Sequence, residues 1–92
     1  MYFVYILYSV TYDKYYVGHT SDVEKRLVKH NLSIDSKTYT SKYRPWVLKY
    51  SFAVSDQRSD AVRIENFIKK QKSTKFIERI IEESWESSNF FL

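Results

Sequence analysis

Apolar and polar positions fall into distinct blocks along the chain. Residues 2–8, YFVYILY, are β-branched, aromatic or leucine, with no Gly or Pro, and predict a buried strand. Residues 14–20, KYYVGHT, carry a weaker form of the same signal, and residues 10–13 are a connection short enough for an antiparallel hairpin. Placing Ser9 opposite Lys14 sets Leu7 opposite Tyr16 and Tyr5 opposite Gly18. Side chains alternate faces with period two, so Tyr5 and Tyr16 then share a face; a slip of one residue would separate them. Gly18, the chain's single glycine, weakens a strand interior, so its expected use is close approach of a ligand or side chain beside Tyr5.

The segment SDVE at 21–24 has the form of a capping box, with Ser21 accepting from the amide of Glu24 and Glu24 reaching back. Asp22 and Glu24 also suit the positive end of a helix. A helix is expected over 22–31, with Val23 and Leu27 facing the core. Arg26 and His30, four apart, share a neighbouring stripe that can overhang the face carrying the tyrosines. Residues 32–45 are polar and predict a loop. Its Lys37, Tyr39, Thr40, Lys42, Tyr43 and Arg44 either grip phosphates and stack on bases, or form an ordinary surface loop.

Residues 46–52, WVLKYSF, predict a third strand starting after Pro45. Ser55 is placed to cap a second helix over 56–72, with Ala61, Ile64, Phe67 and Ile68 as its core stripe. Glu65 borders that stripe and is followed by Lys69 and Lys72. On spacing alone, Glu65–Lys69 reads as a surface ion pair. Ser73 or Thr74 caps a third helix to about residue 83, with Phe76, Ile77, Ile80 and Ile81 inward. Trp85, Phe90 and Phe91 of the tail either fold back or dock on a partner; folding back is expected, because exposed aromatics at a terminus are usually covered. The result is an α+β architecture in β-β-α-β-α-α order, a three-stranded antiparallel sheet flanked by helices. A single domain over 1–92 is expected, with its core at about 2–83 and an acidic-aromatic tail at 84–92.

Composition narrows the function classes. With 43% hydrophobic and 18% aromatic residues in 92, the chain suits one small core and is too apolar for disorder. The absence of Cys excludes disulfides and thiolate metal sites. No stretch approaches a membrane span and the N-terminus lacks a secretory pattern, so no membrane partner and a cytoplasmic location are expected. The net charge of +4 is unevenly spread: residues 1–77 hold 14 basic and 7 acidic residues, residues 78–92 hold 1 and 4. A basic body suits a polyanionic ligand, or is simply a solvated mixed surface.

Taken as a set, these residues resemble the GIY-YIG nuclease domain, in particular its small single-domain members related to the excinuclease N-terminal domain. Phe3-Val4-Tyr5 stands at the GIY position and Tyr16-Val17-Gly18 at the YIG position. His19-Thr20 then leads into Ser21-Asp22-Val23-Glu24-Lys25-Arg26-Leu27, and His30-Asn31 closes the helix. Tyr39-Thr40-Ser41-Lys42-Tyr43-Arg44-Pro45 looks like the loop of the small members, and Glu65 sits where the family places its metal carboxylate. The match spans about residues 2–77. Phe3 replaces the Gly of GIY, and His19 stands where some relatives have Lys, which makes a phosphate contact there weaker and pH-dependent.

The resemblance implies a metal-dependent endonuclease hydrolysing DNA phosphodiester bonds, with branched or damaged structures as plausible substrates in repair or recombination. The alternative is a nucleic-acid-binding or protein-interaction module that keeps the fold without cleaving. Glu65 is implied as the ligand of a Mg²⁺ or Mn²⁺ ion that retains waters. Arg26 offers a charged fork to phosphate oxygens. Tyr5 is implied as general base or water-orienting group, Tyr16 as its neighbour at the phosphate, and His30 either adds positive charge or accepts the Tyr5 proton. A phenol needs nearby positive charge to serve as a base at pH 7. His19, Lys42, Arg44, Lys69 and Lys72 are expected to contact nucleic acid, and Gly18 to be structural. DNA is the expected partner, with a separate protein as a source of targeting and a monomer favoured. Read singly, each residue has a plainer role: any of nine tyrosines as packing, His30 as a helix-dipole partner, Arg26 in an ion pair.

Overall fold

In the computed structural model, which describes residues 1–32 and 39–90, strand β1 (Tyr2–Ser9) is the middle of a three-stranded antiparallel sheet. Strand β2 (Lys14–Thr20) lies on one side and β3 (Val47–Ser55) on the other. The β1–β2 register is the one the hairpin pattern predicts: Ser9 faces Lys14, Leu7 faces Tyr16 and Tyr5 faces Gly18. At the turn, Asp13 takes a left-handed φ of 52°, which Asp tolerates, and its carboxylate accepts a 2.6 Å hydrogen bond from the Tyr8 hydroxyl. Lys37 and Phe91 lie outside the described residues.

The continuous apolar run of β1 has a direct cause, because both faces of the strand are covered. Val4 and Ile6 face one side with Val17 and Phe52, against Ala61, Ile64, Ile68 and Ile80 of helices α3 (Arg58–Lys70) and α4 (Thr74–Glu82). Tyr5 and Leu7 face the other side with Trp46, and Val23 and Leu27 of helix α1 (Val23–Leu32) pack there together with Tyr16 and Tyr43. Among the described residues, no helix is long and apolar enough to cross a membrane.

Several boundaries differ from the sequence reading. Asp22, not Ser21, caps α1: its carboxylate accepts from the Lys25 amide at 3.0 Å, and its carbonyl accepts the first helical bond from Arg26. The 32–45 segment is not wholly loop, since Tyr39–Lys42 forms one helical turn, α2. The third strand starts at Val47 because the Asn31 side chain takes both main-chain groups of Trp46. Its Oδ1 accepts from the Trp46 N–H at 2.6 Å and its Nδ2 donates to the Trp46 carbonyl at 2.9 Å. Helix α3 starts at Arg58, two residues beyond the expected start, because the Ser55 hydroxyl is used before the helix: it accepts from Gln57 N–H and donates to the Asp60 carboxylate. Phe67 falls outside the core stripe and is 39% exposed, whereas Ala61, Ile64 and Ile68 are fully covered.

Ser73 caps α4 by accepting from the Phe76 amide at 3.1 Å. The tail folds back. Phe90 stacks on Phe52 with ring centroids 5.7 Å apart, Trp85 meets Phe76, and the Tyr50 hydroxyl donates to the Trp85 carbonyl.

Candidate active site

Because β2 is an outer strand, side chains from both faces of the sheet can meet around its edge. There a cleft of about 240 Å³ is lined by Tyr5, Tyr16 and Gly18 from one face and by His19 and Glu65 from the other, with Arg26 and Arg58. Tyr16 lies 6.4 Å from Tyr5, centroid to centroid, and 5.1 Å from His30. Tyr5, Tyr16, Arg26 and Glu65, contributed by four separate elements, therefore open onto one space.

The Tyr5 ring is buried, and its hydroxyl lies 2.8 Å from Nε2 of the buried His30. Burial pushes the His30 imidazole down to about 4, helped by the neighbouring positive charges of Arg26 and Lys29. His30 is therefore neutral at pH 7 and shares this hydrogen bond with the Tyr5 hydroxyl as an uncharged imidazole. This removes its expected roles as a source of positive charge and as a charged helix-dipole partner. Burial also pushes the Tyr5 phenol up to about 12; the Arg26 guanidinium beside it offsets only part of that rise. Among the protein's own groups, burial outweighs the Arg26 charge at this phenol. Arg26 itself has a buried Nε without a hydrogen-bond partner among the described residues, a donor held beside the cleft.

Glu65 is held from both sides. Its Oε1 accepts from His19 Nδ1 at 2.6 Å and its Oε2 from Lys69 Nζ at 2.7 Å. His19 Nε2 accepts from Arg58 Nε at 3.1 Å, which assigns the neutral, Nδ1-protonated tautomer. Sequence reasoning missed Arg58. One signal was present: a basic residue in the first turn of a helix opposes the helix dipole and calls for a local partner. It also missed the Asn31 clamp, whose two partners lie 15 residues away in sequence.

The other predicted contact residues are spread out. Lys72 joins Lys69 in a groove alongside the cleft, and Lys42 is exposed on α2. Arg44 uses its guanidinium on main chain, donating to the carbonyls of Ser41 and Asn31 at 3.1 Å each. At Gly18 any Cβ would run into the Tyr5 ring, so glycine leaves the room that side chain occupies.

The donor chemistry suits a hard divalent cation. Among the described residues no group of three or more His, Cys, Asp or Glu side chains forms a metal cage. A single carboxylate in an open cleft matches an ion that keeps waters and takes phosphate oxygens. Glu65 already faces one cation, the Lys69 ammonium, on a flexible side chain that is 43% exposed.

Residues 1–78 match the family model of the GIY-YIG catalytic domain. The chain is 40% identical over 65 residues to a UPF0213 protein of Staphylococcus saprophyticus, covering 67% of this chain and 77% of that one. It is 38% identical over 56 residues to a UPF0213 protein of Halobacterium salinarum, covering 61% and 70%. No solved structure matches. With the family model covering most of its length, the chain belongs to the GIY-YIG catalytic domain family, a family of nucleases.

Proposed function

We propose that the chain is a metal-dependent endonuclease that hydrolyses DNA phosphodiester bonds in the cytoplasm, with branched or damaged DNA as its substrate class. One observation carries this reading: the Tyr5 hydroxyl, already hydrogen-bonded to a neutral His30, shares a cleft with Arg26 and Glu65.

Hydrolysis requires a water to attack phosphorus while the P–O3′ bond breaks and charge builds on the phosphoryl oxygens. Tyr5, with its phenol raised to about 12, is protonated at neutral pH and cannot wait as phenolate. It acts instead as a relay. Its oxygen takes the proton of the attacking water as its own proton passes to His30 Nε2, 2.8 Å away. Arg26 presents its guanidinium to the non-bridging oxygens, which gives the unpartnered Nε an acceptor. Tyr16, with its ring beneath the Lys69 ammonium, borders the phosphate position.

Glu65 would hold a Mg²⁺ or Mn²⁺ ion, with His19 and Arg58 orienting its carboxylate from behind. When bound, that ion would supply charge neutralisation at the phosphate and the leaving oxygen. Lys69, which donates to Oε2 at 2.7 Å, would compete with an ion for this carboxylate and is close enough to the cleft to serve the nucleic-acid backbone instead.

The test is cleavage of supercoiled plasmid and branched oligonucleotide DNA with Mg²⁺ or Mn²⁺, comparing wild type with Glu65→Gln and Arg26→Ala. Metal-dependent nicking lost in both variants is expected. Salt-sensitive binding without cleavage under either metal would make the chain a binding module.

A further inference from the structure

Four tyrosines make an unbroken series of ring contacts that starts in the cleft and leaves it. Tyr16 stacks on Tyr39 with centroids 6.2 Å apart and planes 29° apart; Tyr39 meets Tyr43 at 4.9 Å, and Tyr43 meets Tyr12 at 5.3 Å. Rings that served only to close the core would be covered. Here Tyr39 is 48% exposed and Tyr12 49%. Positive charge stands beside two of these rings: the Lys69 ammonium is 5.2 Å from the Tyr16 ring centre, at the cleft end, and the Lys14 ammonium 5.1 Å from that of Tyr43. Lys14, Tyr16, Tyr39, Lys69 and Lys72 also line one groove of about 480 Å³, which meets the cleft at Tyr16. The groove's acidic side chain, Asp13, already accepts from Tyr8.

Half-exposed aromatic faces beside lysines are the chemistry that holds single-stranded nucleic acid, with bases on the rings and phosphates at the ammonium groups. Paired bases are stacked within their own duplex and cannot use such faces. We infer that the Tyr16–Tyr39–Tyr43–Tyr12 ladder, with Lys14 and Lys69, is the binding track for an unpaired stretch of DNA strand leading into the cleft. The identity of the strand as DNA and its destination rest on the nuclease reading; the stacking surface itself does not. The substrate is then narrowed to DNA with an unpaired segment beside the scissile bond.

Fluorescence anisotropy in EDTA, where no cleavage occurs, tests the track. The probes are a labelled oligothymidylate, a strand of equal length with abasic residues, and a blunt duplex. Wild type should bind the oligothymidylate about ten-fold or more tightly than the abasic strand, which has the phosphates but no bases. Tyr39→Ala and Tyr12→Ala should each weaken oligothymidylate binding about five-fold or more and leave abasic-strand binding unchanged, while Tyr39→Trp keeps it. Tyr12 lies in the hairpin turn, so its variant serves if Tyr39→Ala fails to fold. Equal affinity for the abasic strand and the oligothymidylate, or equal losses on both, would overturn the track. Base-dependent binding together with inactivity under every metal would leave the track standing and remove the nuclease reading. Cleavage without base-dependent binding would do the reverse.

Discussion

The phenol ring of Tyr5 occupies the space a side chain at position 18 would need. A Cβ built on Gly18 stands 2.6 Å from Tyr5 Cζ and 2.9 Å from Cε1, well inside any real contact. Their strand partnership makes the approach unavoidable, since the two residues face each other directly across the β1–β2 ladder.

Gly18→Ala should therefore damage both stability and chemistry. The Tyr5 ring is packed in the core and has little freedom to yield, so overpacking of about 1–3 kcal/mol is expected in urea unfolding. The displaced hydroxyl would lose its bond to His30, and cleavage should fall about ten-fold or more beyond any loss of folded protein. Wild-type stability in this variant would mean that the ring has room to move.

Removing the Tyr5 hydroxyl alone isolates the relay. Tyr5→Phe keeps the ring over Gly18 while removing the donor to His30, so the fold should persist and the cleavage rate should fall about 10²-fold or more. The relay also sets the pH profile. With the phenol at about 12, cleavage should show no inflection at the ordinary tyrosine value of 10.0. A rate that climbs through that value would point to a phenolate base.

His30 makes stability depend on pH with a definite sign. Its folded-state value of about 4 lies below the ordinary 6.5, so the unfolded chain takes up a proton before the folded one does. The stabilisation is fully present above pH 6.5 and is lost as pH falls toward about 4. It amounts to about 3 kcal/mol at most. Thermal unfolding followed across that window should show a steeper decline for wild type than for His30→Gln, and parallel declines would exclude His30 as the cause.

Lys69 competes with any cation at Glu65. Lys69→Met frees Oε2, and Mn²⁺ titrated in the absence of DNA, followed by electron paramagnetic resonance, should bind about two-fold or more tightly than to wild type. Glu65→Gln should abolish the same binding. Unchanged Mn²⁺ affinity in the Lys69 variant would place the ion elsewhere.

Asn31 joins the end of α1 to the start of β3 through its two hydrogen bonds to Trp46. Asn31→Ala should destabilise the protein by about 2 kcal/mol, because the freed Trp46 groups are partly buried. Chemical denaturation measures the loss, and an effect below about 0.5 kcal/mol would show that water replaces the side chain.

What the chain determines locally was legible from its order of residues alone. The hairpin register follows from a short connection between two strand-forming runs, and the side-chain period of two then puts Tyr5, Tyr16 and Gly18 on one face. Arg26 and His30 follow from a four-residue helical spacing immediately after the hairpin. The boundary misreadings came from competition among neighbouring hydroxyls, carboxylates and amides that a pattern does not rank: Asp22 took the cap assigned to Ser21, and Ser55 was spent ahead of α3. Tertiary structure decided the rest. It set Glu65 between His19, 46 residues away in sequence, and Lys69, brought Arg58 behind that pair, and tied Asn31 to Trp46. It also made His30 neutral, where burial and the charge of Arg26 act in the same direction, and the Tyr5 phenol harder to ionise, where burial, which depends on everything packed around a group, outweighs that same arginine.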